Sequence, residues 1–170
     1  MRLNFRYISI SFLALFLFSC SPTRQLEKKE RIEVYGVLGL EYDKKDNFAL
    51  YKESASWMGV PHVDGGMSRE GVDCSSLVQQ IYLKVYNIKI ERNSENILQI
   101  NCKRISKNNL REGDLVFFKT TNKSSAKVNH VGIYLKEHKF VHASSSRGVM
   151  VSNLDDDYWV KAWVCGGRVR

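Results

Sequence analysis

Three side chains in this 170-residue sequence carry the groups needed to break an acyl bond: Cys74, His130 and His142. A thiol attacks a carbonyl only as the thiolate, and a free cysteine is mostly protonated at neutral pH. The start of a helix favours the anion, because its unpaired N–H groups and dipole face it. Cys74 follows Asp73, a good N-cap residue, and Leu77, Val78, Ile81, Tyr82 and Val85 come after it at helical spacing. The thiol is therefore expected in the first turn of an amphipathic helix, where backbone N–H groups could also hold an oxyanion. A helix-start cysteine alone is more often a buried structural residue. The two histidines change that balance. Each falls in an expected strand, and the turn between them is centred near residues 136–139. Paired strands then bring the imidazoles together across the ladder. A base held by a second polar group is the arrangement that activates a nucleophile, with His142 orienting His130 and His130 taking the thiol proton. The same three residues could instead ligate zinc, although no local ligand pair of the usual kind is present.

The elements that must position these groups read as follows. Phe48, Leu50, Tyr51, Ala55 and Met58 recur at helical intervals, and Gly59-Val60-Pro61 ends that helix. The Cys74 helix comes next, and a shorter helix is expected from Asn93 to Ile100. The pattern then changes to short apolar runs separated by turns: 114–119, 130–135, 139–143 and 149–152. Such spacing predicts an antiparallel meander. Helices first and strands later make an α+β domain.

The N-terminus addresses the protein. Arg2 and Arg6 precede an almost wholly apolar run from Ile8 to Phe18, too short to span a bilayer but of the length of a signal-peptide core. Leu17-Phe18-Ser19-Cys20 looks like a bacterial lipobox, with Cys20 as the lipidated residue. The expected organisation is a lipoprotein signal over 1–19, a lipidated N-terminus and tether over 20–45, and one domain over 46–170. Cys74, Cys102 and Cys165 remain, an odd number in an exported chain. Cys102 and Cys165 could be bridged, or could be small buried hydrophobes. The absence of any C-x-x-C pair leaves zinc fingers and thioredoxin-type chemistry without support. The formal charge of +8, from 26 basic and 18 acidic side chains, favours anionic partners without naming one.

Four stretches resemble one family. Gly71-Val-Asp-Cys-Ser-Ser-Leu-Val78 resembles the nucleophile motif of the NlpC-type peptidases. Arg111-Glu-Gly-Asp-Leu-Val-Phe-Phe118, Asn129-His-Val-Gly-Ile-Tyr134 and Phe140-Val-His-Ala-Ser144 resemble the strands that follow it, in the same order. The likeness runs from about Val60 to the C-terminus and is nearest the lipoprotein murein endopeptidase branch. It implies a papain-like α+β fold with Cys74 as nucleophile, His130 as base and His142 as orienting residue. It also implies hydrolysis of amide bonds in peptidoglycan and no metal or organic cofactor. Asp73 and Ser75, which flank the thiol, are further candidates for oxyanion or substrate contacts. The expected partners are peptidoglycan and, through the lipid, a membrane facing the periplasm, the outer one by expectation. No nucleic acid is expected, and the chain is read as a monomer.

Two positions depart from the family pattern. His62 stands in Pro61-His-Val-Asp-Gly-Gly66, where the family often has a tyrosine whose hydroxyl faces the nucleophile. An imidazole N–H could replace that hydroxyl, or the contact could be lost. Ser76 replaces the usual glycine, a change a helix turn accepts. Two other functions use the same residues: an inactive wall-binding module of this fold, and a thiol acyltransferase or amidase on another substrate. Asp155-Asp-Asp157 reads as a solvated turn, and Trp159 and Trp163 as packing or wall-contact residues.

Overall fold

The computed structural model describes residues 22–121 and 127–170. The signal segment and Cys20 lie outside the described residues. Helix α1 (Pro22–Val37) leads into α2 (Phe48–Ser56), a two-stranded ribbon of β1 (Met67–Ser68) and β2 (Gly71–Val72), and the central helix α3 (Cys74–Tyr86). A short helix α4 (Ser94–Asn96) continues as a π-turn over Ile97–Asn101. Six strands then form one antiparallel sheet: β3 (Cys102–Ile105), β4 (Leu115–Phe118), β5 (His130–Tyr134), β6 (Lys139–Ser144), β7 (Gly148–Asn153) and β8 (Trp163–Val169). A short helix α5 (Asp157–Ala162) precedes β8. The order across the sheet is β3-β8-β4-β5-β6-β7. The meander from β4 to β7 is the one the sequence predicts, and the fold is α+β.

The helices form because their apolar residues share a face. In α3, Leu77, Val78, Ile81 and Tyr82 are buried against β5 and β6, while Asn87 closes the helix in the left-handed conformation. All four residues of β4 are buried, because this strand lies within the sheet and is covered on both faces. One face meets α3 and the large core. The other holds a second cluster of Val116, Phe118, Phe140, Leu154 and Trp159.

The core begins earlier than residue 46. Tyr35 is 1 % exposed, and Leu38 and Leu40 are buried beside it. Tyr35 stacks on Tyr51 at 4.5 Å, and Arg31 lies 4.1 Å from the Phe48 ring centre. The stretch expected as a tether therefore contains a helix whose C-terminal end packs into the domain. Tyr35 carries enough apolar surface to dock α1, although the helix is densely charged from Arg24 to Glu33. Cys102 and Cys165 are both buried and free, as small core residues.

Candidate active site

Asp73 builds the start of α3. Its Oδ1 accepts the Ser76 N–H at 2.8 Å and the Ser75 hydroxyl at 2.9 Å. Arg92, from the loop after α3, reaches back with both arms: Nη1 donates to Asp73 Oδ1 at 3.0 Å and Nη2 to Oδ2 at 2.6 Å. Nη1 also donates to Ser75 Oγ at 2.9 Å, and the Gly65 N–H donates to Asp73 Oδ2 at 3.1 Å. Burial alone would push the Asp73 carboxyl up, but Arg92, Ser76 and Ser75 together hold it below its ordinary value. The N-cap is thus an ion pair with every acceptor site engaged, and Cys74 follows it in the first turn.

The Cys74 thiol is half-buried. Burial is the strongest influence on it and pushes its pKa up to about 11, with the Asp73 charge acting the same way. The N–H groups of Val131, Ser75 and Cys74 itself act against this rise. Val131 neighbours His130, so the thiol sits against the strand that carries the imidazole. The Ser76 N–H is spent on Asp73 Oδ1 and the Leu77 N–H on the Asp73 carbonyl, which leaves the first N–H groups of α3 for the sulfur and for charge developing beside it.

On the sheet side, His130 Nε2 and His142 Nδ1 lie 3.0 Å apart. The pairs Ile133↔Val141 and Tyr134↔Phe140 set the β5–β6 register that allows this. Gly132 makes room: a Cβ there would stand 2.7 Å from a Phe140 ring carbon and 3.2 Å from the His142 Cβ. Aromatic rings fix both imidazoles. Trp159 stacks on His130 at 5.5 Å and meets His142 edge-on at 4.8 Å, and Phe140 stacks on His142 at 5.0 Å. Burial, with a smaller electrostatic influence from the neighbouring His62 ring, pushes His130 down to about 4. Burial also holds His142 well below its ordinary value, with His130 and Arg147 acting in the same direction. Burial thus favours the uncharged form of all three groups, the two imidazoles and the thiol.

Cys74, His130, His142, His62, Asp73 and Ser75 all line one open groove of about 1050 Å³. The sequence-predicted site residues are therefore brought together, Cys20 apart. His62 is mostly covered, pairs through its backbone with Val72, and has Nε2 3.9 Å from Asp64 Oδ1. The zinc alternative fails on geometry. The two histidines spend their facing nitrogens on each other, and among the described residues no group of three ligand side chains converges. Sequence reasoning missed Arg92 and Ser152. Ser152 Oγ lies 3.0 Å from His142 Nε2, yet nothing in a Val-Met-Val-Ser run distinguishes it. Arg92 lies in a loop, and no spacing rule connects it to Asp73.

A thiol opening a buried helix, set against two linked imidazoles on an antiparallel sheet, defines a papain-like thiol hydrolase. Within that class the chain belongs to the NlpC/P60 family, whose pattern matches residues 59–168. It is 42 % identical over 115 residues to a Haemophilus influenzae protein named "Probable endopeptidase", covering 67 % of this chain and 69 % of that one. It is 37 % identical over 120 residues to the Escherichia coli murein DD-endopeptidase MepS, also named a murein LD-carboxypeptidase, covering 71 % of this chain and 61 % of MepS. Among solved structures, a lipoprotein-like NLP/P60 protein from Staphylococcus aureus superposes with a TM-score of 0.66 at 32 % identity, covering 76 % of this chain and 43 % of that one. The chain thus spans between three-fifths and seven-tenths of the length of these two curated relatives.

Proposed function

We propose that this chain is a cell-wall cysteine endopeptidase that hydrolyses an amide bond in peptidoglycan stem peptides or crosslinks. The observation that carries it is the single groove joining the Cys74 thiol to the His130–His142 couple. Cys74 is the nucleophile, His130 the base and His142 the orienting residue. Substrate enters with its carbonyl carbon over the sulfur. The thiol proton passes to His130 Nδ1 as sulfur attacks, and the oxyanion is met by N–H groups at the start of α3. His130 then returns the proton to the leaving amine, giving a thioester. A water deprotonated by His130 hydrolyses that thioester and frees Cys74. His62, at the groove wall, donates an N–H to the same oxyanion. Asp73 and Ser75, tied by Arg92, hold the helix start rigid against the substrate backbone. No step calls for a metal or organic cofactor.

The relatives' names support this substrate class, MepS being a murein DD-endopeptidase by name. Cys20 is proposed to carry lipid, on the motif Leu17-Phe18-Ser19-Cys20 and the short apolar run before it. The enzyme would then face the periplasm from a membrane, the outer one in this proposal, as a monomer and without a nucleic-acid partner. No helix among the described residues is long and apolar enough to cross a membrane. Mass spectrometry of purified muropeptides after digestion tests the activity. Wild-type protein is expected to convert crosslinked or tetrapeptide species, and Cys74→Ala to leave them intact while folding normally. Turnover by Cys74→Ala at the wild-type level would sink the mechanism.

A further inference from the structure

The His130–His142 couple does not end at His142. Ser152 stands on β7 directly opposite Phe140, on the face where Phe140 and His142 both project, and so diagonal to His142. It is 7 % exposed, and its Oγ lies 3.0 Å from His142 Nε2. Phe140 and Trp159 cover the faces and edge of the His142 ring. Its polar contacts among the described residues are therefore two: His130 at Nδ1 and Ser152 at Nε2.

The direction of the chain follows from the chemistry of neutral imidazoles, which carry one donor and one acceptor each. His130 can take the thiol proton only if Nδ1 is bare. Its hydrogen must then sit on Nε2, which donates to His142 Nδ1. That nitrogen must be bare in turn, so His142 carries its hydrogen on Nε2, where Ser152 Oγ is the acceptor among the described residues. The reversed chain is equally well bonded: the Ser152 hydroxyl donates to His142, His142 donates to His130, and a hydrogen is left on His130 Nδ1, the nitrogen that takes the thiol proton in the proposed mechanism. In that state His130 cannot act as a base.

We infer that Ser152 is a positioning residue of this peptidase, a fourth member of the relay that accepts from His142 Nε2 and so keeps His130 Nδ1 free of hydrogen. The serine touches neither substrate nor thiol. It acts by giving the productive tautomer an acceptor in a place where a bare N–H would otherwise be buried unpaired.

The inference rests on the peptidase mechanism above, but one arm of its test is independent of any substrate. The purified full-length protein, labelled with ¹⁵N at histidine, reports each ring's tautomer by two-bond nitrogen–proton correlation. Wild type is expected to show His142 protonated at Nε2 and bare at Nδ1. In Ser152→Ala that signature should be lost or mixed, and kcat on a muropeptide should fall about tenfold, with KM within about twofold, as for the loss of one buried partner. Ser152→Thr keeps a hydroxyl at the position and should retain both signature and kcat. Circular dichroism of each variant checks the fold, and a Ser152→Ala protein that fails to fold leaves the wild-type tautomer and the Ser152→Thr variant as the deciding measurements. A wild-type His142 protonated at Nδ1 overturns the inference. So does a Ser152→Ala variant that keeps the Nε2–H signature, whether its activity is retained or lost. A failure of the peptidase assignment alone would appear as no turnover by wild type with the expected tautomer present.

Discussion

The two buried imidazoles couple the stability of the fold to pH, and the size of the effect can be worked from His130. Its pKa in the folded protein is about 4, against 6.5 for an unperturbed imidazole. Between these values the unfolded chain holds more protons than the folded one, so stability rises with pH there. The contribution is fully present above pH 6.5, is lost as pH falls from 6.5 towards 4, and loses nothing more below 4. The full span of 2.5 pH units corresponds to roughly 3 kcal/mol, and about 2 kcal/mol of it falls between pH 7 and pH 4.5. Carboxylates titrate in the same range, so the measurement must be differential. Urea unfolding at pH 7 and pH 4.5 is compared for wild type and His130→Gln, which keeps a donor for His142 but binds no proton. Wild type should lose about 2 kcal/mol more than His130→Gln over that interval, because the carboxylate titrations are shared. Equal losses would refute the picture of His130 as a ring held neutral by burial.

Three further outcomes are expected. His62→Ala should lower turnover by about 10²–10³, as loss of an oxyanion donor does, whereas His62→Tyr should retain most activity; a drop in His62→Ala of threefold or less would place His62 outside the reaction. Ser76 is fully buried with no partner for its hydroxyl, so Ser76→Ala should raise the unfolding free energy by about 1 kcal/mol in urea titrations, and a clear loss of stability would reveal an unseen partner. Arg92→Met strips the counter-ion from Asp73 beside the thiol, so the pH midpoint for alkylation of Cys74 by iodoacetamide should rise. The double variant Asp73→Asn/Arg92→Met should bring it back down, and an unmoved midpoint in both would mean that the ion pair does not act on the sulfur.

Much of the site was legible because its chemistry is local. Asp73 as N-cap and the apolar repeat behind it mark the start of α3 without knowledge of the rest of the chain. The His130–His142 contact follows from counting outward from one hairpin. Other parts depend on tertiary partners. Helix α1 reads as a solvated tether because its first turns are polar and densely charged, and the docking of Tyr35 on Tyr51 makes it part of the domain. Strand β3 carries the adjacent exposed Lys103 and Arg104 at a sheet edge, and β8 carries Gly166 and Gly167. Neither has the apolar run that marked β4, although Gly167 is needed where a Cβ would meet a Phe117 ring carbon at 2.6 Å. Asp155-Asp-Asp157 reads as a solvated turn, but Asp155 is bonded to Lys107 and Asp157 opens α5, which carries Trp159 onto His130.

The third member of the relay bears on how the site manages charge. Burial holds His142 well below its ordinary value, so in the proposed mechanism the imidazolium on His130 has no anion behind it. It finds a neutral ring, a serine and the faces of Trp159 and Phe140. A resting thiolate–imidazolium pair is accordingly disfavoured from both sides, since burial raises the thiol and lowers the base. The two charges are affordable only together and close, since unit charges about 4 Å apart attract by about 4 kcal/mol at an effective dielectric of 20. In the proposed mechanism activation then coincides with attack, when the negative charge moves from sulfur to the substrate oxygen and meets the N–H groups of α3. That places the demand for precision on the helix start, which explains the engagement of every acceptor site of Asp73 by Arg92, Ser75, Ser76 and Gly65. A site with a permanent ion pair could tolerate a loose helix end; one that creates its charges during the reaction needs the stabilising dipoles already in place.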